Sequence, residues 1–313
     1  MLSDNARGAL FMSFGMAAFV LNDTLMKLVS GDLPLFQAIF LRGVLTTLAF
    51  ALIAWRLKAL SLPKFNGDRW LVAVRVVAEC GATFFFLTAL FNMPLATLTA
   101  ILQVAPLTIT LAGALFLREP VGWRRFIAIG IGFIGVLLIV RPSPAGIDLY
   151  AIYALIAVGF VTLRDLVTRR LPRAVPSMVV ALATAGGVTA FAGVGVLAED
   201  WVRPTGTSWM FLTGAVVFIL GGYLLSIMAM RVGELGVVSP FRYTGLVWAL
   251  LLGFLVFGDW PDGLTKLGAA LIVGTGLFTL YREHRLSREM VLGQPGRAVD
   301  NPIDSPYTPH TRG

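Results

Sequence analysis

The sequence has a single cysteine, Cys80, and two histidines, His284 and His310, both near its C-terminus. One cysteine excludes an intrachain disulfide. With no histidine before residue 284, an HExxH zinc site, a haem axial histidine and a histidine proton relay are excluded from the rest of the chain. A phosphate-cradling GxxxxGK loop followed by Ser or Thr is also missing, so nothing points to ATP use. No metal and no cofactor is expected. Charge is scarce as well. Only 13% of residues are Asp, Glu, Lys or Arg, against 57% hydrophobic, where a soluble domain carries about 25% charged and 45–50% apolar residues. That shortage excludes an ordinary soluble domain.

Long apolar runs fill the space instead. A bilayer core about 30 Å thick needs about 20 apolar residues at about 1.5 Å of rise each. Ten such runs are predicted: 8–29, 34–55, 70–91, 95–117, 124–141, 149–167, 176–198, 208–230, 236–258 and 264–282. The first is longer than a signal-peptide h-region and is preceded by one arginine, so it reads as span 1 and not as a cleaved leader. The connections are short and punctuated: "SGDLP", "FNMP", "REPVGW", "RPSPAGID", "GDWPDG". Residues 283–313 are polar and rich in Pro and Gly, and are expected to form a disordered tail.

The net charge of +8 does not imply nucleic acid, because the basic residues are scattered over short loops. They follow topology. Of 25 Lys and Arg, 17 fall at the N-terminus, in the even-numbered loops and in the tail, and four in the odd-numbered loops. The other four, Arg42, Arg75, Arg164 and Arg242, lie inside spans. The bias places both termini in the cytoplasm. Six of the seven tryptophans sit near span ends, as an interfacial belt requires, and Trp248 is the exception.

The halves resemble each other. "FVLNDTLMKLVSGDLP" (19–34) aligns with "VTLRDLVTRRLPRAVP" (161–176) at an offset of 142, matching Asp23 with Asp165 and Lys27 with Arg169. "GALFLRE" aligns with "GFLVFGD" at an offset of 140. Five spans is an odd number, so the second half enters the membrane from the opposite side. The expected fold is all-α, with ten transmembrane helices in two inverted five-helix repeats, 1–142 and 143–282.

"FLRG" in span 2, "FLREPVGWRRFIAIGIGFIGVLLIV" and "VFGDWPDGLTKLGAALIVGTGLFTL" resemble the drug/metabolite transporter superfamily in its EamA-like branch, over about residues 7–282. The resemblance implies a multi-pass carrier of the bacterial plasma (inner) membrane, with a central cavity lined by spans 1, 3, 4, 6, 8 and 9. The N-terminal segment and "FFFLTALFNMPLA" are similar to a subgroup that includes riboflavin importers.

Charges inside the spans are the candidate site. Glu79 is about 14 Å deep in span 3 and Arg75 about 8 Å, on one helix face. A lone charge at that depth costs about 2.5–3.5 kcal/mol, so this face is expected to point at a wet cavity or a partner. Arg42 in span 2 is placed to reach Glu79. A triad of Arg42, Glu79 and Arg75 carries +1 and suits an anionic, carboxylate or imide group. Three readings stay open: a structural ion-pair network, substrate contact, and proton coupling through Glu79. Asp23 with Lys27, and Asp165 with Arg169, read either as ion-paired gates at opposite mouths or as ordinary helix-end charges. In "SPFRYTGLVW", Arg242, Tyr243 and Trp248 join Gln103 as substrate-binding candidates, with interhelical hydrogen bonding and core packing as the alternatives. Pro240 frees a backbone carbonyl.

The expected function is a secondary transporter of a small organic metabolite by alternating access, with riboflavin or a similar planar metabolite as leading substrate. An amino-acid or metabolite exporter of the same family is the alternative. A polytopic membrane enzyme or a non-transporting scaffold belongs to another class, and scattered single acids at helix ends disfavour the enzyme. The expected partners are the small-molecule substrate, the lipid bilayer and a proton, with a homodimer left open and no nucleic acid.

Overall fold

The computed structural model describes residues 3–56, 69–116, 122–141, 148–172 and 177–292. Among these, every regular element is helical. Nine segments are long and apolar enough to cross a membrane, and a tenth apolar helix, Phe126–Val140, is shorter. That tenth belongs to Trp123–Val140, 18 residues. At about 1.5 Å per residue it still matches a hydrocarbon core. The ten spans are thus Asp4–Val29, Leu35–Arg56, Arg69–Asn92, Leu95–Phe116, Trp123–Val140, Leu149–Arg170, Ser177–Val196, Gly206–Val232, Leu235–Phe257 and Gly263–Leu292.

Two spans are not continuous. Span 4 divides into Leu95–Leu102 and Ala105–Phe116. Pro106 has no amide to give Leu102, and the turn tightens so that Val104 N bonds Ile101 O at 3.1 Å. Span 9 begins as Leu235–Val238, passes through a 3₁₀ segment at Ser239–Tyr243 containing Pro240, and resumes as Thr244–Phe257. The breaks fall at Gln103 and Tyr243, which match at the offset of 140. Span 10 corrects an expected boundary. It continues helical to Leu292, so the tail predicted from residue 283 is helical over its first ten residues. Residues 293–313 lie outside the described residues, as does Glu119 of the second repeat match.

The packing has the symmetry of the repeat. Span 1 packs along span 8, and span 3 along span 6; exchanging halves maps one pair onto the other. Span 5 packs on span 10 and span 2 on span 7, each pair mapping onto itself. Lipid is as apolar as leucine, so such contacts rest on close packing of small residues and on interhelical hydrogen bonds. Gly135 and Gly268 bring spans 5 and 10 so close that a Cβ on Gly268 would overlap the Gly135 carbonyl oxygen. Gly8 and Gly233 do the same near the start of span 1 and the end of span 8, where a Cβ on Gly8 would lie 3.0 Å from Gly233 Cα.

With an even number of spans, the described ends share one face of the membrane. The opposite face is tied by polar contacts between its loops. Both Glu199 carboxylate oxygens accept the amides of Phe36 and Gln37 at 3.0 Å, capping span 2. The fully buried Gln37 side chain bonds both backbone groups of Val202, at 2.6 and 3.0 Å. Ser208 donates to Asp32 at 2.8 Å. Span 5 ends at Arg141 with φ 52°, in the left-handed region uncommon for non-glycine residues. There Arg141 bonds Asp262 and Thr265 at the start of span 10. Span 9 ends at Gly258, φ 71°, where glycine carries no Cβ penalty. Trp55, Trp70, Trp123 and Trp260 are exposed at span ends, as expected of an interfacial belt.

Candidate substrate site

The intramembrane charges converge from both repeats. On span 6, Arg164 stands between two acids. Its Nε donates to Asp165 at 2.8 Å, and its Nη1 lies 3.4 Å from both carboxylate oxygens of Glu79 on span 3. All three side chains are partly shielded, Glu79 being 18% exposed. The hydrogen-bonding partner of Glu79 in this arrangement is therefore Arg164, a residue outside the expected triad with Arg42 and Arg75. The matched position in the first repeat is Asn22, 142 residues earlier. Asn22 Nδ2 donates to Asp23 at 2.9 Å, and its Oδ1 accepts from Arg42 at 3.4 Å. One repeat thus holds its aspartate beside a neutral amide, the other beside a guanidinium.

Arg75 turns to span 6 and span 7, donating to Thr168 at 3.0 Å and to Thr184. Arg42 remains within electrostatic reach of Asp23 and Glu79. The group as a whole contains three arginines (Arg42, Arg75, Arg164) and three acids (Asp23, Glu79, Asp165). Their formal charges cancel, where the expected triad alone carries +1.

The gate pairing of Asp23 with Lys27 is also corrected. Lys27 Nζ donates to the carbonyls of Leu90 and Met93 at 2.8 and 2.7 Å, and lies over the Phe257 ring. It satisfies the free carbonyls at the end of span 3, a favourable place for a cation. Asp165 bonds Arg164 on its own helix.

Gln103 and Tyr243 meet. Gln103 Nε2 donates to the Tyr243 carbonyl at 3.4 Å, so the broken helices are bonded to each other across the two repeats. The Tyr243 side chain is 5% exposed and its hydroxyl has no partner among the described residues. It presses on Gly276 of span 10, where any Cβ would collide with it. In this arrangement its ring packs between spans 9 and 10. Trp248 is partly buried against the core, and Arg242 is exposed, its side chain without a hydrogen bond to a described residue.

Tyr223 of span 8 is the residue that sequence reasoning passed over. It lies within electrostatic reach of Glu79, Arg164, Arg75 and Arg42, yet 44% of its surface is accessible. It is thus accessible while lying among those charged groups. Phe19 and Phe50 meet its ring edge-on at 5.3 and 6.4 Å. Its only signal was one phenol in the apolar "GGYLL". Toward the loop-bonded face, Phe84 stacks on Phe36 at 5.5 Å and Phe85 on Phe160 at 5.7 Å, forming aromatic walls beyond Glu79. No group of three or more potential metal ligands occurs among the described residues.

Ten apolar spans with exchange-symmetric packing, paired breaks and a charged cluster contributed by both halves define a multi-pass membrane transporter. The chain belongs to the EamA-like transporter family, whose model matches residues 6–141 and again 148–281. It is 31% identical over 280 residues to an uncharacterized transporter of Helicobacter pylori (strain ATCC 700392 / 26695), covering 85% of this chain and 90% of that one. It is 30% identical over 259 residues to a riboflavin transporter of Vibrio cholerae, covering 82% and 80%. It is 26% identical over 197 residues to an S-adenosylmethionine uptake transporter of Rickettsia bellii, covering 61% and 66%. One solved crystal structure aligns with a TM-score of 0.60 at 23% identity, covering 89% of this chain and 98% of that one, and so shares the fold.

Proposed function

We propose that this protein is a secondary carrier that moves a small organic metabolite by alternating access across a bacterial inner membrane, with both termini in the cytoplasm. The observation that carries the reading is the Glu79–Arg164–Asp165 cluster with Tyr223 beside it. Full charges persist at that depth only where they face partners or a wet cavity, and here they come from helices of both repeats. The 17:4 bias of Lys and Arg supports the orientation.

A planar metabolite such as riboflavin is the leading substrate. The accessible phenol, the aromatic walls and the riboflavin transporter among the relatives support it. The balanced charge favours a second reading, a zwitterionic or cationic metabolite, in keeping with the S-adenosylmethionine transporter among the relatives. Glu79 is proposed as the site of proton coupling.

The experiment is counterflow in liposomes with labelled riboflavin, S-adenosylmethionine and tryptophan, comparing wild type with Tyr223→Phe and Arg42→Ala. Saturable riboflavin exchange, weakened by both variants, supports the leading reading. Exchange of S-adenosylmethionine or tryptophan alone replaces it. Exchange of none of the three removes both substrate readings. If uptake by Glu79→Gln keeps its pH dependence, Glu79 does not carry the proton.

A further inference from the structure

A second site lies away from the charged cluster, on the outer surface of spans 5 and 10. A cavity of about 340 Å³ opens between them, walled by Ile127, Ile131 and Phe278, with Trp123 and Arg124 among its lining residues. Gly274 forms a notch in its wall, since a Cβ there would meet nothing within 4 Å. The one hydroxyl in the lining, Thr275, is spent on its own helix, bonding Leu271 and Ile272 carbonyls at 2.7 and 3.1 Å. The slot therefore offers no hydrogen bonds along its length. From Trp123 to Ile131 it extends about 12 Å along the helix axis, starting at the membrane surface on the side of the chain ends.

Cations gather at that end. Arg124 lies over the Trp123 ring at 5.3 Å, which fixes the guanidinium beside the slot. Arg282, from span 10, reaches within 3.5 Å of where a Cβ on Gly122 would stand. Its Nη1 is buried without a hydrogen-bond partner among the described residues. Neither arginine forms an ion pair with a described acid. Gly122 caps span 5 with no side-chain hydrogen bond, leaving amides at a positive helix end. A polar metabolite finds nothing to bind in such a slot, and a neutral lipid leaves the cations unmatched.

We infer that this slot binds an anionic phospholipid, with one acyl chain along Ile127, Ile131 and Phe278 and the phosphate at Arg124 and Arg282. The chemistry is that of a phosphodiester with net negative charge, uncompensated by a headgroup cation, attached to a long alkyl chain and supplied by the leaflet on the side of the chain ends.

The test uses detergent-purified full-length protein incubated with equal amounts of phosphatidylglycerol and phosphatidylcholine, with retained lipid measured by mass spectrometry. Wild type should retain phosphatidylglycerol preferentially. Arg124→Ala should reduce that preference about fivefold, the usual worth of one arginine at an anionic surface. Gly274→Leu should expel both lipids, since its side chain fills the notch. Ile127→Trp, at an exposed wall position, fills the same slot if Gly274→Leu does not fold. Equal retention of the two lipids, unchanged retention in both plugged variants, or displacement by glycerol phosphate alone would overturn the inference. A plugged variant that converts a dimer to a monomer without changing lipid retention would also overturn it, and would assign the slot to a second copy of the chain.

Discussion

Glu79 and Arg164, 85 residues apart in sequence, face each other across spans 3 and 6 with both carboxylate oxygens 3.4 Å from one guanidinium nitrogen. The contact joins the first repeat to the second. Arg164→Ala leaves Glu79 and Asp165 as two acids without their shared cation. A charge-assisted hydrogen bond is worth about 1.5–3 kcal/mol, and partial exposure of these side chains puts the expected loss at the lower end of that range. Thermal melting in detergent, with Glu79→Gln/Arg164→Ala as the double variant, checks this. The double variant should lose less than the sum of the singles.

Gln103 joins the two broken helices through the Tyr243 carbonyl. Gln103→Leu keeps the volume and removes the donor. A neutral hydrogen bond contributes about 0.5–1.5 kcal/mol, so the fold should survive while transport slows. Counterflow rates beside melting temperatures test the separation; equal loss of both would assign Gln103 to stability alone.

At the crossing of spans 5 and 10, Gly268→Leu has nowhere to place its Cβ except against the Gly135 carbonyl. Overpacking typically costs about 1–3 kcal/mol, and backbone contact puts this case at the upper end. The expected result is a lower melting temperature and poor recovery of folded protein. Gly274→Leu, on the same helix but over open space, serves as the matched control.

Asp262 lies in the loop before span 10. Hydrogen bonds from Arg141 and Thr265 hold its carboxyl well below the usual carboxylate range. A carboxyl depressed by folding stabilises the fold above its unfolded value of about 3.9 and loses that contribution as the pH falls below it. The difference in melting temperature between wild type and Asp262→Asn should be constant from about pH 8 to 5 and shrink below about pH 4. A difference that grows on acidification would reverse the assignment.

The spans were legible because a bilayer imposes one length and one polarity on every crossing. Tryptophan at span ends, and the match of Gln103 with Tyr243, followed from the same regularity. Partner choice was not legible. The i,i+4 spacing of Asp23 and Lys27 shows a shared helix face, but Lys27 reaches farther and finds the unpaired carbonyls at the end of span 3. Arg164 was visible as a charge inside a span; that it meets Glu79 depends on which helices cross, a property of the assembled bundle. Tyr243 looked like a donor because it is polar, yet its surroundings bury it against a glycine of span 10. Tyr223 carried no spacing signal at all.

The paired interruptions of spans 4 and 9 have a consequence for how this protein is studied. Where Pro106 denies Leu102 its amide and Ser239–Tyr243 winds as 3₁₀, main-chain dipoles become available in mid-membrane. Recognition by main chain survives replacement of side chains. Alanine scanning across these breaks will therefore leave those main-chain groups in place, whereas changes to chain path, such as Pro106→Ala, address them directly.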